Sequence, residues 1–305
     1  MEESTTSFFM LWNFGILVFM RTNFVRITTD DKLILSGGLY SPDKDTKKAI
    51  LHIHGMGGNF YENSFIGFMA EEFTGEGYSF LSLNNRGAQI IFDFPIDGSE
   101  EKHKRIGSAY EKFEECVHDI KAGIDFLVKE GYTEIILQGH SLGSVKAAYY
   151  VAKTQDKRVL KLVLISPSDM VGLSEDKNHE RRMTLSKKLI QEGKGKELLP
   201  ELLWDFYWLS ADTYVNLSER GTAVDVFNTY DREASSCIRD INIPVLAILG
   251  GIDDAAILPV EEALKIIKSK AEKTVRFDTL VIDKAPHSYF GHEQQLAKSI
   301  TKWLK

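Results

Sequence analysis

The chain has 305 residues, 43% of them hydrophobic and 27% charged, with a formal net charge of −7. That length is one large α/β domain or about two ordinary ones, and the apolar share suffices for a sizeable core, which excludes a disordered, collagen-like or coiled-coil chain. An acidic balance without a basic block argues against nucleic-acid binding, and two cysteines, Cys116 and Cys237, are too few for a disulfide framework.

The apolar run 8–20 is about 13 residues long, short of the roughly 20 that span a bilayer. Met1-Glu2-Glu3 in front of it is not the basic leader of a secretory signal. Residues 1–23 therefore read as a first strand or a packed apolar arm that could support a homo-oligomer. The protein reads as cytoplasmic, without stable membrane insertion.

Beyond it, strands and helices alternate. Residues 24–28 and 33–40 read as strands about an Asp30-Asp31 turn, and 49–54 as a short apolar strand ending in Gly55-Met56-Gly57-Gly58. A helix is expected over 59–76, a strand over 78–84 and a helix over 108–129, where Phe113, Val117, Ile120, Ile124 and Leu127 recur at helical spacing. A strand over 134–137 is followed by Gly139-His140-Ser141-Leu142-Gly143 and a helix to about 154. The continuous apolar runs 160–166 and 244–249 suit central parallel strands. The last strand is expected over 274–282 and the last helix over 293–304. This alternation predicts a doubly wound, mostly parallel α/β sheet of about eight strands. Residues 168–236 break it, being helix-like, charged and without a convincing strand. That stretch is too long for a plain loop and reads as a helical cap between core segments 24–167 and 237–305.

Gly139-His140-Ser141-Leu142-Gly143 carries the chemistry. A bare G-x-S-x-G occurs by chance in roughly one chain in ten of this length. Here it follows the apolar Ile135-Ile136-Leu137 and opens a helix, the strand–elbow–helix that holds a serine hydroxyl on a sharp turn. Gly55-Met56-Gly57-Gly58 lacks the Gly-Lys-Ser/Thr ending of a phosphate loop, and no G-x-G-x-x-G occurs, so nucleotide binding is discounted.

Gly139–Gly143, the upstream His54-Gly55-Met56-Gly57-Gly58 and a late Asp and His together resemble the α/β-hydrolase fold family over essentially the whole chain from residue 24. The stretches 54–63, 84–87 and 166–169 also resemble a sub-branch of uncharacterised hydrolases related to fungal siderophore esterases. The resemblance implies a triad in the order Ser…Asp…His. Ser141 would be the nucleophile. Counting from Gly250 gives Asp253 as the acid, and counting from Gly251 gives Asp254. His287 in Ala285-Pro286-His287-Ser288 would be the base, with His292 its rival. The oxyanion hole would take the Leu142 amide and that of Met56, with Gly57 as the alternative.

Other residues are weighed on their own chemistry. His52 and His54, alternate residues of one strand, could suggest a metal, but no third ligand accompanies them and sheet packing is the plainer reading. Arg86 in Asn84-Asn85-Arg86-Gly87 could bind an acidic substrate group or make a structural ion pair. Glu111, Glu114, Glu115 and Asp119 read as a solvated helix face, one or two of which could reach Arg86. Trp204 and Trp208 could form the core of the cap or a substrate wall. The expected function is hydrolysis of a small-molecule carboxylic ester through an acyl-enzyme, without metal or organic cofactor. The alternatives are thioester, acyltransfer or other triad chemistry, or a non-catalytic ligand-binding protein on the same fold.

Overall fold

The computed structural model describes residues 7–8 and 20–305; apart from its two ends, the apolar run 8–20 lies outside them. The strands are β1 (Ser7–Phe8), β2 (Met20–Thr28), β3 (Ile34–Pro42), β4 (Lys48–Ile53), β5 (Ser79–Leu83), β6 (Asp93–Ile96), β7 (Ser99–Arg105), β8 (Glu134–His140), β9 (Val159–Ile165), β10 (Val245–Gly250) and β11 (Phe277–Ile282). The α-helices are α1 (Phe65–Gly75), α2 (Cys116–Lys129), α3 (Leu142–Thr154), α4 (Met170–Ser174), α5 (His179–Gln191), α6 (Ala211–Ser218), α7 (Val260–Lys270) and α8 (Glu293–Leu304). Among the described residues no helix is long and apolar enough to cross a membrane.

One sheet runs in the order β1-β2-β3-β5-β4-β8-β9-β10-β11. β1, β2, β3 and β5 pair antiparallel, and every pair from β5 to β11 is parallel. The eight longer strands are the mostly parallel sheet expected from the sequence, and β1 adds a two-residue edge. The parallel strands are apolar on both faces because both are covered. In β4, Ala49, Leu51 and Ile53 face a core shared with α2, α3 and α7, while Ile50 faces one shared with α1 and α8.

Two helix starts differ from the sequence reading, and one hairpin adds to it. The helix expected from residue 59 begins at Phe65, because Asn59 Oδ1 accepts the amides of Tyr61 and Glu62 and caps a turn there. The helix expected from residue 108 begins as a 3₁₀ turn at Phe113 and becomes α-helical at Cys116. The hairpin β6–β7 was not anticipated, although its turn, Asp97-Gly98 between paired Ile96 and Ser99, is a strong two-residue hairpin signal. Residues 168–236 contribute α4, α5 and α6 and no strand of the sheet. Asp169 closes this insertion: Oδ1 caps α4 at Gly172, and Oδ2 accepts the Thr229 hydroxyl at 2.7 Å.

Candidate functional site

Ser141 sits between the end of β8 and the first residue of α3 with φ 56° and ψ −126°, a strained conformation for a residue with a side chain. The flanking glycines make that turn feasible. A Cβ on Gly139 would lie 2.1 Å from the Gly143 carbonyl oxygen, and one on Gly143 would lie 2.1 Å from the Ile53 carbonyl oxygen. The Ser144 hydroxyl donates to the carbonyls of Gly139 and Ile165, both at 2.7 Å, and ties the elbow to β9. Ser141 Oγ lies 3.4 Å from Ser168 Oγ.

Asp253 and His287 meet at the C-terminal ends of β10 and β11. His287 Nδ1 donates to Asp253 Oδ1 at 2.8 Å. Asp253 is buried, and its carboxylate also accepts from the Ser166 hydroxyl at 2.5 Å and the Ala255 amide at 3.0 Å. Burial pushes this carboxyl up, but the bonds from His287 and Ser166 outweigh it and hold the group below the usual carboxylate range. Asp254 is exposed and takes no part in that bond. His292 is the N-cap residue of α8, with its ring beside Gln295. Ser141 and His287 line one cavity of about 350 Å³. Its walls are Met56 from the loop after β4, Ser168, Met170 and Leu173 from the start of the insertion, Trp204 and Tyr207 from its middle, and Asp254 and Ala255. The amides of Met56, Gly57 and Leu142 donate to no acceptor among the described residues.

For several other residues the structure decides between the alternatives that the sequence left open. Arg86 does not line the cavity. It is fully buried, its guanidinium held by Asp119 at 2.9 Å, Glu115 at 2.5 Å and Asp31 at 3.1 Å. Asp119 and Glu115 are therefore its partners, and not members of a solvated face. Glu111 is buried against Lys146 at 2.5 Å, and Glu114 accepts from Asn216 of the insertion at 2.9 Å. Trp204 lines the cavity with its indole N–H on the Leu173 carbonyl, whereas Trp208 is 40% exposed and lies outside the wall. His52 packs between Phe65 and Phe80 and bonds Gln138, and His54 bonds Asn85 and Gly55.

Ser166, His140 and Tyr289 were missed as site residues. The His140 Nε2–H donates to the His287 carbonyl at 2.9 Å, its ring 4.9 Å from the His287 ring. Tyr289 is buried with its hydroxyl 3.1 Å from Ser166 Oγ. One signal was available for Ser166: it directly follows the strand paired with the serine-bearing strand, so it must border the elbow.

Three buried histidines give the fold a pH dependence. Burial pushes His54 and His140 down to about 3 and His52 well below its ordinary value. Unfolded, each would bind a proton below about pH 6.5. Between about 6.5 and 3 the unfolded chain therefore holds more protons, and stability falls as pH falls, with a limiting slope of about 1.4 kcal/mol per pH unit for each histidine. Urea unfolding should show a clear loss of stability from pH 7.5 to 5. A flat profile over that range would contradict neutral buried imidazoles.

A sequence profile described as alpha/beta hydrolase fold matches residues 48–279. No curated protein matches the sequence. Among solved structures the chain is similar to Est1E from Butyrivibrio proteoclasticus with ferulic acid bound, at 19% identity and TM-score 0.64, covering 92% of this chain and 97% of that one. It is similar to the esterase Pf2001 of Pyrococcus furiosus at 19% identity and TM-score 0.59, covering 93% and 88%. It is also similar to the alpha/beta hydrolase GrgF from Penicillium sp. sh18 at 16% identity and TM-score 0.66, covering 93% and 98%.

Proposed function

The chain belongs to the α/β-hydrolase family, and from that premise we propose that it is a serine esterase acting on small-molecule carboxylic esters. The observation that carries this reading is the 2.8 Å bond from His287 to buried Asp253, with Ser141 held on its elbow in the same cavity. His287 takes the Ser141 proton as Ser141 Oγ attacks the acyl carbon. Asp253 keeps the imidazole in the tautomer whose Nε2 faces the serine. The Leu142 and Met56 amides stabilise the oxyanion, His287 returns the proton to the leaving alcohol, and water completes hydrolysis with the same base. Ser141 Oγ lies 3.4 Å from Ser168 Oγ and shares the cavity with His287, and the hydrogen bond between nucleophile and base tightens in the Michaelis complex. The insertion acts as the cap that closes the acyl pocket through Met170, Leu173, Trp204 and Tyr207.

The test is labelling by a fluorophosphonate probe together with turnover of p-nitrophenyl esters of increasing acyl length. Labelling mapped to Ser141, with turnover on at least one length, supports the reading. No labelling and no turnover would favour a ligand-binding protein on this fold. Labelling without turnover would point to bulkier esters, such as those of siderophores.

Among the residues lining the cavity, the one carboxylate is that of Asp254. A cationic alcohol should therefore be preferred over its uncharged isostere. We expect the ratio of kcat/KM for butyrylcholine over 3,3-dimethylbutyl butyrate to fall about two- to fivefold in Asp254→Asn, since the carboxylate is exposed and screened. An unchanged ratio would remove Asp254 from substrate selection.

A further inference from the structure

Two carbonyls of the loop after β4 are gripped from opposite sides. From the core, the Asn85 backbone amide donates to His54 Nε2 at 3.1 Å, so the ring proton sits on Nδ1 and is donated to the Gly55 carbonyl at 2.7 Å. The Asn85 side chain is itself fixed: Oδ1 accepts from Lys146 Nζ at 2.8 Å, and Nδ2 donates to the His54 carbonyl at 3.1 Å. Lys146 is paired with Glu111, and all four of these residues are fully or almost fully buried. The peptide bonds are trans, so the Met56 N–H points opposite to the Gly55 carbonyl, away from the His54 ring.

The next peptide has no such anchor in the core. Gly57, with φ 62°, leaves the Met56–Gly57 unit free to rotate. Its hold comes from the insertion, where the Tyr207 hydroxyl donates to the Met56 carbonyl at 3.1 Å. The tyrosine ring also packs on Gly57, where an added Cβ would lie 2.9 Å from Cε1.

We propose that Tyr207 is a positioning residue for the oxyanion hole: the Met56 amide lies in the peptide that His54 secures, and Tyr207, by holding the Met56 carbonyl, fixes ψ of Met56 and so the loop backbone directly beyond that amide, making the hole depend on the insertion being in place. The inference rests on the esterase reading above. Donors stabilise a developing charge to the extent that they are already oriented, so loosening the backbone next to the Met56 amide weakens the transition state and leaves ground-state binding alone. The core chain from Glu111 to His54 secures the first peptide, and Tyr207 secures the second. This arrangement also favours Met56 over Gly57 as donor, since the Gly57 amide is turned away from the Tyr207 side of the cavity.

Tyr207→Phe keeps the ring and deletes the hydroxyl. Expected is a fall in kcat on the order of tenfold with KM unchanged, less than the 10²–10³ lost when an oxyanion donor is itself removed. Affinity for an alkyl boronic acid, which forms the tetrahedral adduct on serine, should weaken by the same factor. Affinity for the parent alcohol product should not change. Tyr207→Ala, which also removes the wall, should raise KM as well. Wild-type kcat and boronate affinity in Tyr207→Phe would overturn the proposal, as would a loss confined to KM and to product binding. A wild-type protein that neither labels nor turns over esters would remove the esterase reading and this inference with it. An active wild type with an unaffected Tyr207→Phe would remove the inference alone.

Discussion

Ester turnover should fall at least a thousandfold in Ser141→Ala, with the unfolding midpoint unchanged. The two halves of this expectation have separate causes. In the proposed mechanism the hydroxyl is the atom that attacks, and removing the nucleophile of a triad leaves only the residual rate given by binding and the oxyanion hole. The same hydroxyl contributes little to the fold, because its contact is a 3.4 Å approach to Ser168 Oγ. Alanine at φ 56° carries the same backbone strain as serine, so no stabilising relaxation is expected either. Asp253→Asn should also slow turnover severely, since an amide no longer favours the His287 tautomer that faces the serine. It should cost some stability too, because Asp253 collects three hydrogen bonds in a buried position. The assays are steady-state hydrolysis of the best p-nitrophenyl ester and thermal unfolding of the same preparations. More than a few percent of wild-type turnover in Ser141→Ala would sink the assignment of the nucleophile.

Arg86→Leu should cost about 3–5 kcal/mol of stability, a large part of a typical total of about 5–15 kcal/mol. The guanidinium is fully buried and answers three carboxylates from two regions of the chain: Asp31 in the β2–β3 turn, and Glu115 and Asp119 at the start of α2. Leucine would leave the Asp119 carboxylate, whose side chain is fully buried, without its counter-cation and with only the residue 86 backbone amide as donor. Glu115 and Asp31 are partly exposed, so Glu115→Gln should cost less than about 1 kcal/mol. Arg86→Lys keeps the charge but loses the forked geometry that reaches all three acids, and should fall between the two. Urea midpoints of the three variants give the ordering, and Asp119→Asn provides the answer from the partner's side should Arg86→Leu fail to fold. An Arg86→Leu protein within 1 kcal/mol of wild type would show that the network carries no net stability. Activity of folded Arg86→Lys should stay near wild type, because Arg86 does not line the cavity.

The parts of this molecule legible in sequence are those whose cause is local. Apolar runs such as Val245–Gly250 are buried on both faces of the sheet, and the run itself declares that environment. The glycines at 139 and 143 state the steric demand of a turn that the serine between them must make, because the clashing atoms lie within the elbow or on the adjoining strand. The chain order of Ser141, Asp253 and His287 follows from the order of the strands that end beside them. Even the overlooked hairpin was written locally, in Asp97-Gly98.

What tertiary structure alone decided is where polar side chains found partners. Arg86 stood at a strand end next to the site, its ion pair with Asp119 or Glu115 one of two open readings, and nothing nearby in sequence said that Asp31 would join them. Glu111, spaced like a solvated helix residue, is instead outside the helix and beneath the insertion, paired with Lys146. Trp204 and Trp208 are equivalent in composition, yet only Trp204 lines the cavity, because the turn after Leu203 swings the two rings apart. Periodicity and turn chemistry act over a few residues and so determined the sheet, the elbow and the order of Ser141, Asp253 and His287 along it. Ion pairing, tautomer choice and the walls of the cavity act through space, between segments tens to hundreds of residues apart, and only the folded chain brings those together.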